Sequence, residues 1–248
     1  MNKDIPARGP RRTGRSTKAS AKRAVKPLTD KALEQYLRQW SKEQLLDLLL
    51  EHLADDPELR RRVVLRITAE GDPAAGLGRL RDAIDEVLDI GFVEWKQLAA
   101  YMSRLGAVQD AVLLLGKTAP AAGLEAALYF VERIPSVFNS VHDECELEYF
   151  CAQLAEAVLD LTAKAGAPLL HGAQKLLDAF QKDDTCRFGE VPELLRKQAL
   201  SDGERAALIE EVGGRMAKAN LWQAERLGGL LQKLRGGPRK PRGKKTGR

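Results

Sequence analysis

The sequence has few aromatic residues, few cysteines and no long apolar run. Phe, Trp and Tyr make up 5% of the 248 residues, which disfavours a sheet protein because strands are enriched in aromatic and β-branched side chains. Three cysteines, an odd number, do not form a disulfide framework and agree with a reducing compartment. No run of about 18 apolar residues and no secretory signal is present. We therefore expect a cytoplasmic protein without a membrane span.

Positive charge is concentrated at the two ends of the chain. Residues 1–27 carry nine basic residues and one acidic residue, and residues 235–248 carry seven basic residues and no acidic residue. Residues 28–234 carry 24 basic and 34 acidic residues, a net charge of −10. The end segments lack apolar periodicity, so they cannot bury enough surface to offset the entropy of ordering. We predict a disordered basic tail over 1–27, a helical-repeat domain over 28–234 and a second disordered basic tail over 235–248.

The clearest helix signals lie between Ser41 and Asp72. Ser41 and Gln44 have the spacing of a capping box, and Asp56 before Pro57 marks the start of a second helix. In that second helix, four apolar residues are expected to form the buried face: Leu59, Val63, Val64 and Ile67. Four arginines lie on the other face, and we interpret them as solvated side chains paired with Asp47, Glu51, Asp55 and Asp56: Arg60, Arg61, Arg62 and Arg66.

Helix signals continue along the rest of the body. Further starts are predicted at Asp72-Pro73, Pro120, Asp143, Pro192 and Ser201 with Glu204. Pro135 and Gly166 predict helix ends, and Gly106 predicts a break between two helices. The result is about ten to twelve helices with short connections, which predicts an all-α fold. We expect an irregular α-solenoid or array of antiparallel helix pairs, with a compact helical bundle as the alternative.

Three runs carry a family resemblance. DLLLEHLADDPELRRRVVLRITAEGDPAAGLGRLRDAI has a leucine-rich helix, a D-D-P-x-L-R-R-R turn and an Ala/Leu helix, and ALYFVERIPSVFNSVHDECELEYFCAQLAEAVLDL has an acidic turn between two helices. A further helix pair is predicted for the third run, LLDAFQKDDTCRFGEVPELLRKQALSDGERAALIEEV. Over most of 44–212 the chain resembles a bacterial helical-repeat family of unknown function, often associated with SWIM-type zinc-finger proteins. The resemblance implies an α-solenoid and assigns no chemistry.

His142, Cys145 and Cys151 form a small group of soft metal ligands. On a helix that begins at Asp143, the two cysteines lie about 120° apart around the axis, so they cannot chelate one ion from that helix. Cys151 falls on the apolar stripe and is predicted to be a core residue, and Cys186 lies in a loop. The sequence therefore predicts no metal site at these residues.

The acidic run Asp143, Glu144, Glu146 and Glu148 could bind Mg²⁺ or Mn²⁺, or act as a general base. We interpret it instead as a group of acidic residues in the first turn of a helix, where the helix dipole favours negative charge. His52 and His171 are solitary, and the glycines of GDPAAGLGRL match neither a phosphate loop nor a dinucleotide fingerprint. No catalytic residue and no cofactor is predicted.

The tails supply the candidate nucleic-acid contacts. The segment Pro241-Arg242-Gly243-Lys244 is similar to a degenerate AT-hook. Lys244 and Lys245 stand where Arg and Pro are expected, which favours phosphate attraction over A·T readout, with a solubilising tail as the alternative. The candidate contacts are Arg8, Arg11, Arg12, Arg15, Lys22, Arg23, Arg239, Lys240, Arg242, Lys244 and Lys245.

These observations favour a non-enzymatic helical scaffold that binds a partner along its stacked helices. A protein is the first expected partner and nucleic acid, held through the basic tails, is the second; no oligomeric state is predicted. The alternative is a metal-dependent enzyme that uses the acidic turn from Asp143 to Glu148. A structural subunit of a larger assembly is a third interpretation.

Overall fold

Eleven α-helices, one short 3-10 segment and no β-strand make up the part of the chain that the structure, a computed structural model, describes: residues 29–142, 146–198 and 200–236. The prediction of an all-α fold is confirmed. The chain divides into two compact units, Met1–Glu51 and His52–Arg248, and the division falls within one helix.

The first unit contains a helical hairpin. Helix α1 is Asp30–Leu37 and helix α2 is Lys42–Asp55, of which the residues up to Glu51 belong to this unit. The capping box at Ser41 is confirmed: Ser41 Oγ accepts from the Gln44 amide at 3.2 Å, and Gln44 Oε1 accepts from the Ser41 amide at 2.9 Å. Neither helix contains a buried residue.

The second unit contains nine of the described helices. They are α3 Pro57–Glu70, α4 Pro73–Leu88, α5 Trp95–Thr118, α6 Pro120–Arg133, α7 Glu146–Lys164, α8 Leu169–Lys182, α9 Val191–Lys197, α10 Asp202–Met216 and α11 Leu221–Arg235, with the 3-10 segment Ile134–Val137 after α6. The predicted starts at Pro57, Pro73 and Pro120 are confirmed. At each, proline occupies the first turn, where its missing N–H costs no hydrogen bond.

The helices of the second unit pack in two interleaved sets. Helix α5 contacts α3 and α7, and helix α6 contacts α4 and α8. Consecutive helices from α3 to α9, and α10 with α11, pack against each other across the two sets. Because short connections reverse the chain direction, consecutive helices form antiparallel pairs. This is the packing expected of an array of helix pairs.

The buried face of α3 differs from the predicted one. The prediction that Val64 and Ile67 are buried is wrong, since their side chains are 53% and 63% exposed. Leu65, Thr68 and Ala69 are buried instead, so the true buried face lies roughly 170° around the helix axis from the predicted one, at about 100° per residue. Small residues allow the contact with α4: a Cβ added at Gly76 would lie 2.9 Å from the Thr68 carbonyl oxygen.

The predicted break at Gly106 is also wrong, because α5 continues through it from Trp95 to Thr118. A single glycine inside a helix costs about 1 kcal/mol, and burial of Leu105, Val108 and Val112 outweighs that cost. Within the described residues, α5 is the one helix whose length and apolar composition would suffice to cross a membrane. It is also a core helix of its unit, in contact with α3, α4, α6 and α7.

Two loops of the second unit are held by specific hydrogen bonds. The Val93 amide donates to the Ser140 carbonyl at 2.7 Å, and the His142 amide donates to the Val93 carbonyl at 3.1 Å, which forms an isolated parallel bridge. After α8, the buried carboxylate of Asp183 accepts from the Phe188 amide at 2.6 Å and from the Thr185 hydroxyl at 2.9 Å.

Several local predictions around α6 and α7 are confirmed. Helix α6 ends at Arg133, before Pro135, and α7 ends at Lys164, before Gly166, which has a φ of +64°. Cys151 is fully buried on α7, as its place on the apolar stripe predicts. The predicted cap at Asp143 lies outside the described residues. Leu221, at the start of α11, is 89% exposed.

Candidate binding groove

A groove of about 790 Å³ lies along the surface formed by α3, α5 and α7. Helix α3 contributes Arg62 and Arg66 to one wall, and α7 contributes Asp160, Leu161 and Lys164 to the other. The floor comes from α5, whose lining residues recur every three or four positions and therefore share one helix face: Ser103, Gly106, Ala107, Asp110, Ala111, Leu113, Leu114 and Lys117.

Four cationic side chains and two carboxylates line this groove. Lys164 is paired with Asp160 at 2.7 Å, and Arg66 is paired with Glu70 at 3.0 Å. Arg62 donates a hydrogen bond to the neutral hydroxyl of Ser103, so its charge is not compensated there. Within the described residues, neither Lys117 nor Asp110 forms an ion pair. The groove therefore offers two uncompensated cations, Arg62 and Lys117, and one uncompensated carboxylate, Asp110.

The floor of the groove is apolar and made mostly of small side chains. Gly106, Ala107 and Ala111 keep it open, and Leu114 and Leu161 add apolar surface. Alanine and glycine leave room for the side chains of an incoming segment, and burial of apolar groups there contributes about 25 cal/mol per Å². The groove can thus bind a chain that presents both acidic and apolar side chains.

Within the described part of the second unit, the arginines of α3 do not form the ion pairs predicted for them with Asp55 and Asp56. Arg61 pairs with Glu86 of α4 at 3.3 Å, and its side chain is only 17% exposed. Arg66 pairs with Glu70 on its own helix. Arg62 points into the groove instead of forming a carboxylate pair. The four arginines therefore do not act as one solvated strip.

The predicted nucleic-acid contacts lie in the tails, outside the described residues. The acidic turn is described only in part: Glu146 and Glu148 occupy the first turn of α7, whereas Asp143, Glu144 and Cys145 lie outside the described part. Among the described residues, no three His, Cys, Asp or Glu side chains lie close enough to hold a metal ion. The metal-dependent alternative stays a prediction.

No protein-family model, curated protein or solved structure matches the chain. The resemblance to the helical-repeat family associated with SWIM-type zinc fingers therefore stays a prediction.

Sequence reasoning missed the groove. Its charged residues lie on three helices that are separated in sequence, and no local pattern tells which helices adjoin. One signal was present in α5, where small and charged residues share a face that an amphipathic core helix would fill with large apolar side chains. That signal was hidden by the wrong expectation of a helix break at Gly106.

Proposed function

We propose that the chain is a non-enzymatic helical scaffold that binds a protein partner along the groove formed by α3, α5 and α7, with the basic tails adding electrostatic affinity. The observation that carries the proposal is the sign of charge in the groove. Four cationic and two anionic side chains line it, whereas residues 28–234 carry a net charge of −10. Charge complementarity favours an acidic segment at a positive site.

The lining favours a polypeptide over nucleic acid as the occupant. The carboxylate of Asp110, which is unpaired within the described residues, would repel the phosphates of a polynucleotide seated in the groove, whereas Asp160 is paired with Lys164. No aromatic side chain lines the groove, so bases have no stacking surface of the kind that single-strand binders use. A polypeptide, in contrast, can present carboxylates to Arg62 and Lys117 and an apolar side chain to Leu114.

The test is a quantitative pull-down from a native-host lysate, read by mass spectrometry, with the full chain as bait. The groove variant is Arg62→Glu with Lys117→Glu, which reverses the two uncompensated cations. The matched control is Arg60→Glu with Arg79→Glu, two exposed residues that do not line the groove. Both variants change the net charge equally, so general electrostatic attraction falls by the same amount in each.

We expect the groove variant to lose the partner by at least about tenfold, since reversing two close charge pairs costs more than about 1.4 kcal/mol. The control variant should retain it. Equal recovery of every captured protein by the two variants would contradict the proposal. A thermal denaturation curve for each variant shows whether a loss of binding reflects a loss of folding.

A further inference from the structure

The hairpin of the first unit leaves its apolar side chains in solvent. Six large apolar residues on α1 and α2 are 40–55% exposed, and no residue of either helix is buried. Such exposure is unusual, because single soluble chains rarely present a large apolar patch without a partner. The six residues, here called the hairpin patch, are Leu33, Tyr36, Leu45, Leu46, Leu49 and Leu50.

The hairpin patch combines a wide helix face with a shallow concavity. On α2, Leu46 and Leu49 have the spacing of core positions in a helix bundle, and Leu45 and Leu50 flank them on the same side. Between α1 and α2 lies an open groove of about 500 Å³ that includes Leu33 and Leu45. Both helices thus present apolar surface beside this groove.

We propose that the hairpin patch binds the hairpin patch of a second copy of this chain, forming a two-fold dimer. At the exposed fractions of its six side chains, the patch presents roughly 500 Å² per copy, so a symmetric pair buries about 1,000 Å² from these residues alone, the size at which specific interfaces begin. A two-fold interface uses the same surface on both copies. The patch meets that requirement because each copy supplies both a leucine face and a concavity.

The charges of α2 favour an antiparallel pairing of the two copies. Lys42 stands at the start of α2 on the side of the leucine face, whereas Glu51 lies on the opposite side of the helix. In a parallel pair, the two Lys42 side chains would therefore adjoin each other. In an antiparallel pair, the two Lys42 side chains lie at opposite ends, and the two helix dipoles also oppose each other.

The experiment is sedimentation velocity on the full chain, from about 1 to about 100 µM, since dimer formation depends on concentration by mass action. The patch variant is Leu46→Glu with Leu50→Glu. The control is Phe92→Glu with Leu221→Glu, which places the same charges on side chains that are more exposed, at 65% and 89%, and lie in the second unit. Circular dichroism checks that each variant stays helical.

We expect the wild-type chain and the control to be dimeric at the upper concentrations, and the patch variant to dimerise at least about a hundredfold more weakly. The dimer should persist in about 500 mM NaCl, because burial of apolar surface is not screened by salt. A wild-type chain that stays monomeric at about 100 µM overturns the proposal, and this measurement does not depend on the folding of any variant. A dimer that the patch variant retains overturns it as well.

The dimer and the binding groove are separable. Arg62→Glu with Lys117→Glu should leave dimerisation unchanged, since neither residue belongs to the hairpin patch. Loss of the dimer in that variant would contradict the assignment to the hairpin patch and leave the groove proposal to its own test.

Discussion

Gly123 of α6 lies directly against Gly116 of α5. A Cβ built on Gly123 would stand 2.3 Å from the Gly116 Cα atom and 2.7 Å from its amide nitrogen. Both glycines are buried, and Ala119 alone separates the two helices in sequence. The backbones of α5 and α6 are therefore in contact at this crossing, with no side chain between them.

Replacing Gly123 with alanine should destabilise the second unit by at least about 2 kcal/mol, because the added methyl group forces apart two helix backbones that cannot move independently. The matched control is Gly78→Ala in α4, where an added Cβ meets no atom within 4 Å. It should be neutral or stabilising by up to about 1 kcal/mol from helix propensity alone. Urea denaturation gives both values, and equal midpoints for the two variants would contradict the close approach.

Replacing Asp183 with alanine should cost about 2–4 kcal/mol. Its fully buried carboxylate accepts from the Phe188 amide at 2.6 Å and the Thr185 amide at 3.0 Å, and it lies 3.8 Å from the Arg226 guanidinium. Removing it leaves buried N–H groups without an acceptor and a cation without its partner.

The control for Asp183 is Asp184→Ala, because Asp184 is the exposed neighbour in the same loop. That variant should stay within about 0.5 kcal/mol of the wild type. Asp183→Asn, which retains one acceptor oxygen, should fall between the two alanine variants. A loss in Asp184→Ala as large as that in Asp183→Ala would show that the loop depends on total charge and not on the Asp183 hydrogen bonds.

Tyr101 should make the fold sensitive to alkali. Burial raises the pKa of its phenol above the ordinary value of 10.0, and the nearby Arg104 opposes only part of that effect. Because the folded-state pKa is higher than the unfolded one, the contribution to stability is complete below about pH 10 and is lost as the pH rises beyond it. Between about pH 9 and about pH 11, the free energy of unfolding of the wild type should therefore fall by about 1.4 kcal/mol more than that of Tyr101→Phe.

The alkaline effect is measured by chemical denaturation of both proteins at the two pH values. Tyr149→Phe is the control, since Tyr149 is 68% exposed. This control should show the same loss of stability as the wild type. If Tyr101→Phe also behaves like the wild type, the phenol ionises equally in the folded and unfolded states.

Affinity for nucleic acid, where present, should reside in the tails. Residues 1–27 and 235–248 carry charges of +8 and +7, whereas the body carries −10. Binding through such segments releases condensed counterions, so it should be weak, indifferent to sequence and strongly reduced between about 50 and about 200 mM salt. Fluorescence anisotropy with duplex DNA compares the full chain with the fragment 28–234. Equal binding by the two would move the site to the body.

The local signals in the sequence were sufficient for the helix starts, because a cap depends on residues within one turn of each other. Ser201 shows this: its Oγ accepts from the Glu204 amide at 3.3 Å, and its own amide donates to the Glu204 carboxylate at 3.0 Å, as the spacing predicts. The same signals did not give the phase of α3. That phase depends on the approach of α4 at Gly76, which is a tertiary contact.

The groove could not be predicted from the sequence for the same reason, because it also depends on tertiary contacts. Arg62, Lys117 and Lys164 come together because α3, α5 and α7 adjoin, and each helix considered alone shows only an ordinary charged residue. The leucines of α2, in contrast, are visible in the sequence as an apolar helix face, and such a face requires another helix to cover it. What the structure adds is that they remain exposed.

The packing of each helix against its near neighbours in the chain has a consequence for how the second unit opens. The substantial helix contacts join helices no more than two apart in sequence, from α3 with α4 and α5 to α9 and α10 with α11. Such a molecule opens in segments, because loosening α10 and α11 removes support directly from α8 and α9 only. Amide protons near the α11 end should therefore exchange well before those of α5 and α6, which lie between partners on both sides.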